Sequence, residues 1–252
     1  MNRRLIALAL LGAATLSAPL AAKPKVAAQS PVAAAIADPA RGEKNRALDE
    51  GRLPAEVLAF ADVKPGQVVV DYFAGGGYYT ELFSRLVGPK GTVYALDPDS
   101  FYNAKGWEPV LASHNNVRVL VAPVAGLQLA PGSADLLFTN LNYHDLYWES
   151  AKYKFPRVDV PAVLAGWFRA VRPGGHVVIV DHAGPAGDTR KIADDLHRIA
   201  PERVKADMIA AGFVLEAESD VLHRSEDDHS KNVFDATVRG KTDRFVLKFR
   251  RP

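Results

Sequence analysis

The hydrophobic positions of this chain fall into short continuous runs separated by stretches with helical spacing. Six β-branched or apolar runs predict strands: 68–70, 92–96, 117–121, 134–139, 176–180 and 213–219. Three stretches whose apolar residues recur every three to four positions predict amphipathic helices: 80–87, 160–171 and 201–211. A seventh run, 243–250, alternates apolar and polar residues and predicts a strand near the edge of a sheet.

Strands that alternate with helices in this order are typical of a parallel sheet covered on both faces. The sequence therefore predicts an α/β fold: a seven-stranded, mostly parallel, doubly wound sheet with one antiparallel strand near the edge. A helical piece over 38–62 is expected to precede the first strand. The segment 98–115 is predicted to be poor in helix, although it contains the aromatic residues Phe101, Tyr102 and Trp107.

A glycine-rich turn follows the first strand and predicts a nucleoside-binding site. Asp71 closes the strand, and Gly75, Gly76 and Gly77 follow it, so that a ligand can lie against bare main chain. Asp97 ends the second strand, about 20 residues beyond the turn. A carboxylate at that position suits the two ribose hydroxyls, since it can accept a hydrogen bond from each.

Two ligand classes compete for such a turn. A dinucleotide fingerprint has the pattern G-x-G-x-x-G, and here Thr80 stands where its last glycine would be. The two tyrosines that follow the glycines favour an adenosine with an amino-acid tail over a pyrophosphate. A dinucleotide-dependent oxidoreductase remains the less favoured alternative.

Polar residues also follow the fourth and fifth predicted strands, whose carboxyl ends should meet the same cleft. The stretch 140–148 contains Tyr143, His144 and Asp145, and the fifth strand ends at Asp181 and His182. His144 is the first choice of general base. A pairing between His144 and Asp145 is not expected, because the side chains of adjacent residues rarely point at each other. No H-x-x-x-H or H-E-x-x-H spacing occurs, so the sequence predicts no metal site.

Several motifs resemble those of class I S-adenosylmethionine (SAM) dependent methyltransferases. Asp71, Gly75 and Gly77 form the pattern D-x-x-x-G-x-G, and an R-P-G-G turn over 172–175 precedes the fifth strand. From about Asp38 to the end, the chain resembles an exported bacterial group of predicted methyltransferases. The stretches that carry this resemblance are AGGGYYTEL, NLNYHDLYW, RPGGHVVIVDH, LHRIAPERVKADMIAAGF and GKTDRFVLKFRRP.

The resemblance implies a Rossmann-like methyltransferase fold, SAM as the cofactor and transfer of a methyl group to a small-molecule acceptor. The implied cofactor-binding residues are Asp71, Ala74, Gly75, Gly76, Gly77, Asp97, Pro98 and Asn140. The candidate catalytic residues, which their positions after the fourth and fifth strands place on the acceptor side, are Tyr143, His144 and His182.

The sequence departs from the family pattern at two places. Phe73 stands where most members have the first glycine, and Pro123 and Val124 stand where many have an acid after the third strand. A second alternative follows from these departures: an exported, non-catalytic protein that binds SAM or a nucleoside on the same fold.

The first residues predict export, to the periplasm. A basic start and an apolar run over 5–16 predict a signal peptide at 1–28, cleaved between residues 22 and 28. A tether over 29–37 and a single domain over 38–252 should follow. Removing residues 1–28 takes away four basic residues and no acid, so the net charge of +2 becomes about −2. This charge does not favour nucleic-acid binding, and no membrane association is expected after cleavage. The absence of cysteine excludes disulfides.

Overall fold

The computed structural model describes residues 30–124 and 129–252. Its strands are β1 Val68–Tyr72, β2 Thr92–Pro98, β3 Val117–Ala122, β4 Ala134–Asn140, β5 Val171–His182, β6 Val214–Ser219 and β7 Arg244–Arg250. Its α-helices are α1 Pro31–Ala37, α2 Glu43–Arg46, α3 Asp49–Arg52, α4 Pro54–Ala61, α5 Tyr78–Val87, α6 Ala104–Ser113, α7 Val160–Ala170, α8 Thr189–Leu196 and α9 Pro201–Ala210. The predicted signal peptide lies outside the described residues.

The seven strands form one sheet in the order β3-β2-β1-β4-β5-β7-β6. Strands β1 to β5 are parallel to one another, and β7 is antiparallel to both β5 and β6. The chain order reverses between β1 and β4, which is where open α/β sheets bind ligands. The predicted sheet, with one reversed strand next to its edge, is confirmed.

Alternation along each strand divides the core between the two faces of the sheet. Val70 and Leu137 pack on one face with Trp167 of α7, whereas Val69 and Phe138 pack on the other with α4 and α5. Because the central strands are buried on both faces, their sequences read as continuous apolar runs rather than alternating ones.

The segment predicted as a tether, 29–37, differs in the structure. Residues Pro31–Ala37 form α1, whose first turn is capped by the Ser30 hydroxyl accepting from the amide of Ala33 at 3.1 Å. Ala35 is buried in the core on the α4 and α5 side of the sheet. An alanine-rich segment with a cap and an early proline is a good helix, and its small side chains fit closely against the domain.

The segment 98–115, predicted to be poor in helix, also differs because it contains α6. This helix includes Gly106 and Pro109, two residues that disfavour helix in isolation. Trp107 and Val110 are nevertheless buried, so packing under the glycine turn holds the helix. In the described ranges, no helix combines the length and the apolar content needed to cross a bilayer.

Candidate active site

A cavity of about 640 Å³ opens at the carboxyl ends of β1, β4 and β5. Asp71 at the end of β1, Asn140 at the end of β4 and His182 at the end of β5 all line it. Parallel strands place these residues at one edge of the sheet, as the sequence predicts. The volume falls within the range of about 300–1,000 Å³ that is usual for ligand pockets.

The glycine turn forms one wall of the cavity with exposed main chain. Gly75 has a φ of +57°, a conformation that favours glycine, and nothing lies within 4 Å of the place where a Cβ of Gly75 or Gly76 would be. Ala74 lies beside them in the same wall. The turn therefore presents bare backbone to a ligand, as expected.

Asp71 is buried below this turn. Its Oδ2 accepts a hydrogen bond of 2.6 Å from the Thr80 hydroxyl, so the residue that replaces the last fingerprint glycine holds the carboxyl in place. Burial raises the pKa of Asp71 to about 7, although the Thr80 bond opposes the shift.

Asp97, the predicted ribose partner, has internal donors on both oxygens. The amide of Gly75 donates to Oδ1 at 2.8 Å, and the indole Nε1 of Trp107 donates to Oδ2 at 2.7 Å. Asp97 is only 2% exposed and does not line the cavity. Burial raises the pKa of its carboxyl. Gly77 lies against the same indole: a Cβ there would be 3.0 Å from Trp107, and Gly77 does not line the cavity.

Phe73 forms part of the cavity wall. Its φ is +59°, which explains why glycine is the usual residue at this place in the family. Its ring stacks on Tyr72, with centroids 4.5 Å apart, and is largely buried. The aromatic side chain therefore lies against the protein and leaves the cavity open.

Two asparagines join the glycine turn to the end of β4. The Asn142 side-chain amide donates to the Phe73 carbonyl at 3.1 Å and to the Asn140 carbonyl at 2.6 Å. Asn142 thereby fixes the distance between the two loops that bound the cavity. Asn140 was predicted from the sequence as a site residue, but Asn142 was not.

His144 is held between two carboxylates in the opposite wall. Its Nδ1 lies 2.8 Å from Asp181 Oδ1, and its main-chain amide donates to Asp181 Oδ2 at 2.7 Å. Its Nε2 lies 3.4 Å from Asp145 Oδ1, so the pairing of adjacent side chains that was not expected does occur. Burial alone would lower the pKa of His144, but the charges of Asp181 and Asp145 outweigh it and raise the pKa to about 9. The two carboxylates favour the protonated form of the imidazole, which argues against its predicted role as the base.

Two further histidines lie beside it with lowered pKa values. Burial lowers the pKa of His182 well below its ordinary value, and His182 Nδ1 pairs with the Thr242 hydroxyl at 2.7 Å. Burial, followed by the charge of His144, lowers the pKa of His197 to about 4. His197 was missed as a site residue; it follows α8 in a left-handed conformation with φ +52° and lines the cavity.

Two other predicted site residues do not reach the cavity. Tyr143 is 1% exposed, packs edge-on to Trp167, and donates from its hydroxyl to Asp207 at 3.2 Å, so it belongs to the core behind the site. Pro98 ends β2 outside the lining. The residues brought together as predicted are Asp71, Ala74, Gly75, Gly76, Asn140, His144 and His182.

The N-terminal helical piece, predicted over 38–62, supplies a wall of the cavity. Arg52 of α3 lines the cavity, and its guanidinium lies 4.3 Å from the ring centre of Tyr78. Arg41 anchors this piece: it is buried, donates to Glu81 of α5 at 2.9 Å and pairs with Asp49 of α3 at 2.7 Å. The α2 and α3 segment is therefore fixed to α5 next to the glycine turn.

The cavity fits the amino-acid tail of SAM at the glycine turn. It fits the ribose near Asp97 only after a rearrangement. Bare backbone at Gly75 and Gly76, with oxygen acceptors on Asp71 and Asn140, suits the amino-acid tail of SAM. At the ribose end, each oxygen of the buried Asp97 already accepts one bond. Because Asp97 is buried and lies outside the cavity lining, ribose hydroxyls reach it only after the residues around it shift.

Comparison with known proteins identifies the domain. Residues 70–179 match the family model described as "Methyltransferase domain". A ubiquinone/menaquinone biosynthesis C-methyltransferase UbiE from Pasteurella multocida is 27% identical over 128 residues, covering 50% of this chain and 44% of that protein. An arsenite methyltransferase from Halobacterium salinarum is 29% identical over 124 residues, covering 49% of this chain and 29% of that protein. This chain thus spans about half, or less, of the length of these curated relatives.

Solved structures share the fold at low identity. A SAM-dependent methyltransferase from Aquifex aeolicus has a TM-score of 0.57 and 22% identity, with 82% of this chain and 96% of that chain covered. The 1,6-didemethyltoxoflavin-N1-methyltransferase of Burkholderia thailandensis has a TM-score of 0.53 and 18% identity, with 82% and 79% covered. The predicted fold and SAM, the cofactor that the family implies, agree with these matches. Residues 70–179 form a methyltransferase domain, and the fold around them is that of the class I SAM-dependent methyltransferases.

Proposed function

We propose that this protein is a SAM-dependent methyltransferase that acts on a small-molecule acceptor. One observation carries the proposal: a single cavity joins the open glycine turn to a cluster of histidines and carboxylates across the carboxyl edge of the sheet. A cofactor held along the turn would point its reactive end toward that cluster, where an acceptor has room to lie.

The residues of the chain would act mainly by positioning. SAM supplies a methyl group on a good leaving group, so aligning the acceptor with it accounts for much of the lowering of the barrier. Gly75 and Gly76 offer main chain to the cofactor, and Asn142 holds the turn at a fixed distance from β4. Arg52 and the α2 and α3 segment close one side of the cavity against water.

The character of the cavity favours a small acceptor with an apolar, planar part. Phe101 is 47% exposed at the rim and stacks on Trp148 with an interplanar angle of 19°. Both residues line the cavity with Phe73. Aromatic walls of this kind pack well against ring-shaped ligands. The curated UbiE relatives are named for C-methylation in quinone biosynthesis, and we include ring compounds of that kind among the acceptors to be tried.

Calorimetric titration of the full chain with SAM, S-adenosylhomocysteine (SAH) and NAD tests the cofactor. We expect both adenosyl ligands to bind and NAD not to bind. Gly76→Leu should abolish SAM binding, because the new side chain enters open space at the turn without touching protein. Gly42→Leu is the matched control, since it too has nothing within 4 Å and lies outside this cavity. Absence of SAM binding, or equal loss in both variants, would refute the proposal.

Transfer of a labelled methyl group from SAM to a panel of small acceptors then separates an enzyme from a binding protein. SAM binding without transfer to any acceptor would favour the non-catalytic alternative, for which the enclosed Asp97 is the specific observation. Binding of NAD in place of SAM would favour the oxidoreductase.

We also propose that the protein is exported to the periplasm, on the strength of the basic start and the apolar run at 5–16. Fractionation of cells that express the full chain should recover a shortened protein from the periplasm. Recovery of the uncleaved chain from the cytoplasm would contradict export.

A further inference from the structure

Three side chains of types that can bind a metal ion lie close together in the cavity wall, and they come from two distant segments of the chain. His144 and Asp145 lie in the 3-10 turn His144–Tyr147, and His197 follows the last turn of α8. One ligand atom from each residue lies within 4.8 Å of the other two. All three residues line the cavity.

The distances are close to those of a transition-metal site. Metal–ligand bonds of about 2.0–2.2 Å in a tetrahedral arrangement separate neighbouring ligand atoms by roughly 3.3–3.5 Å. The distance from His144 Nε2 to Asp145 Oδ1 is 3.4 Å, and that from His197 Nδ1 to Asp145 Oδ1 is 3.9 Å. To reach this separation, His197 must approach the carboxylate by roughly half an ångström.

The carboxylate of Asp181 orients the imidazole of His144 toward Asp145 and His197. Asp181 is fully buried and accepts from the main-chain amides of both His144 and His182, at 2.7 Å each, so its position is fixed. Because a carboxylate only accepts, His144 Nδ1 donates to it at 2.8 Å, which leaves Nε2 to face Asp145. A carboxylate, a histidine and a metal in this order are the usual outer support of a metal-binding imidazole.

With three protein ligands, the ion would keep a coordination position open for a ligand that does not come from the protein. Three protein ligands with an open position are the mark of catalytic zinc sites, whereas structural sites are closed by four. Two histidines and one carboxylate with open positions also suit iron(II). Since all three side chains line the cavity, the open position would face the space that an acceptor would enter.

We propose that His144, Asp145 and His197 bind one divalent transition-metal ion, of the zinc or iron(II) class, with an open coordination position toward the cavity. The sequence predicts no metal site, because its ligands lie 52 residues apart and follow none of the familiar short spacings. The proposal does not depend on methyl transfer, so the two can fail separately.

Titration of the full chain with Zn²⁺ after treatment with a chelator tests the site. We expect one ion per chain, and in His197→Gln, which removes a ligand from the wall of the cavity, a larger loss of affinity than the roughly 10- to 100-fold that removal of an outer partner costs. Asp181→Asn, a change of a positioning residue, should weaken binding by about 10- to 100-fold. Unfolding curves of each variant will show whether it keeps its fold.

The matched control is His176→Gln. His176 also pairs with a carboxylate, Glu216, at 3.2 Å, but lies on the sheet away from the cavity. The chain has seven histidines, so binding at the surface is a real alternative. With Co²⁺ in place of Zn²⁺, a visible absorption band of four- or five-coordinate cobalt should appear in the wild type and in the control, and vanish in His197→Gln. Absence of stoichiometric binding, or equal weakening in the control, would overturn the proposal.

Discussion

Trp107 provides the sharpest test of how an adenosyl ligand would enter this cavity. Its indole occupies one oxygen of Asp97, the predicted ribose partner, at 2.7 Å. Trp107→Phe keeps an aromatic ring under the glycine turn and removes only the donor and the second ring. If ribose hydroxyls replace the indole at Asp97, the wild type must first break a hydrogen bond that the variant lacks.

The magnitude follows from that bond. A hydrogen bond to a charged group contributes about 1.5–3 kcal/mol, and about 1.4 kcal/mol corresponds to a factor of ten in affinity. We therefore expect Trp107→Phe to bind SAM and SAH about tenfold more tightly. The same change should destabilise the free protein by about 1–3 kcal/mol, because the buried Asp97 loses a donor. Tighter binding in a less stable protein distinguishes this mechanism from a general loosening of the fold.

Calorimetry with SAH and urea unfolding measure the two effects. Trp167→Phe is the control, a buried tryptophan on the opposite face of the sheet, and it should leave the affinity unchanged. In an Asp97→Asn background, the gain from Trp107→Phe should shrink, because the two residues act through one contact. Unchanged or weaker binding in Trp107→Phe would refute the idea that the indole competes with the ribose.

Three further predictions concern stability, each measured by urea unfolding. Burial raises the folded-state pKa of Asp71 to about 7, so its stabilising contribution is present below pH 4 and is lost as the pH rises through 7. The free energy of unfolding of Asp71→Asn should therefore rise relative to that of the wild type as the pH increases from 5 to 8. A difference between the two proteins that stays constant with pH would contradict this. Arg41→Leu leaves Glu81 buried without its 2.9 Å partner and should cost about 3–5 kcal/mol, with Arg41→Lys milder; a cost below 1 kcal/mol would contradict it. Gly91→Ala places a Cβ 2.4 Å from that of Val87 and should cost about 1–3 kcal/mol; a neutral result would show that the turn moves easily.

The sheet was predictable because each strand carries its own signal. The valines at 68–70 read as a strand without any tertiary information, and Val69 and Val70 are buried on opposite faces of the sheet. Once the strands are parallel, their carboxyl ends must share one edge. Asp71, Asn140 and His182 could therefore be assigned to one site from sequence position alone.

The helix α6 was not predictable from local sequence, because Gly106 and Pro109 argue against it. The packing of Trp107 and Val110 against Gly77 supports the helix, and that contact joins residues 30 or more positions apart. The same contact encloses Asp97. The departure from the expected ribose site thus has the same origin as the unexpected helix.

The histidine cluster was missed for a related reason. His144 and Asp145 could be suspected from the loop after β4, but His197 reaches them only because the chain turns back after α8. The pairing of two adjacent side chains, which was not expected, occurs in a 3-10 turn whose backbone is held by Asp181. Loop geometry of this kind depends on contacts between segments and has no periodic signal.

A metal at His144, Asp145 and His197 and a cofactor at the glycine turn would share one cavity, so their binding should be coupled. Two unit charges on the order of 10 Å apart repel by roughly 1.7 kcal/mol at an effective dielectric constant of about 20. SAM carries a sulfonium charge that SAH lacks. Saturating Zn²⁺ should therefore weaken SAM binding relative to SAH by on the order of tenfold. Because coupling is reciprocal, SAM should weaken Zn²⁺ binding by the same factor by which Zn²⁺ weakens SAM binding. In His197→Gln, Zn²⁺ should no longer affect SAM and SAH differently. Equal effects of Zn²⁺ on SAM and SAH would mean that the ion and the sulfur do not face each other across this cavity.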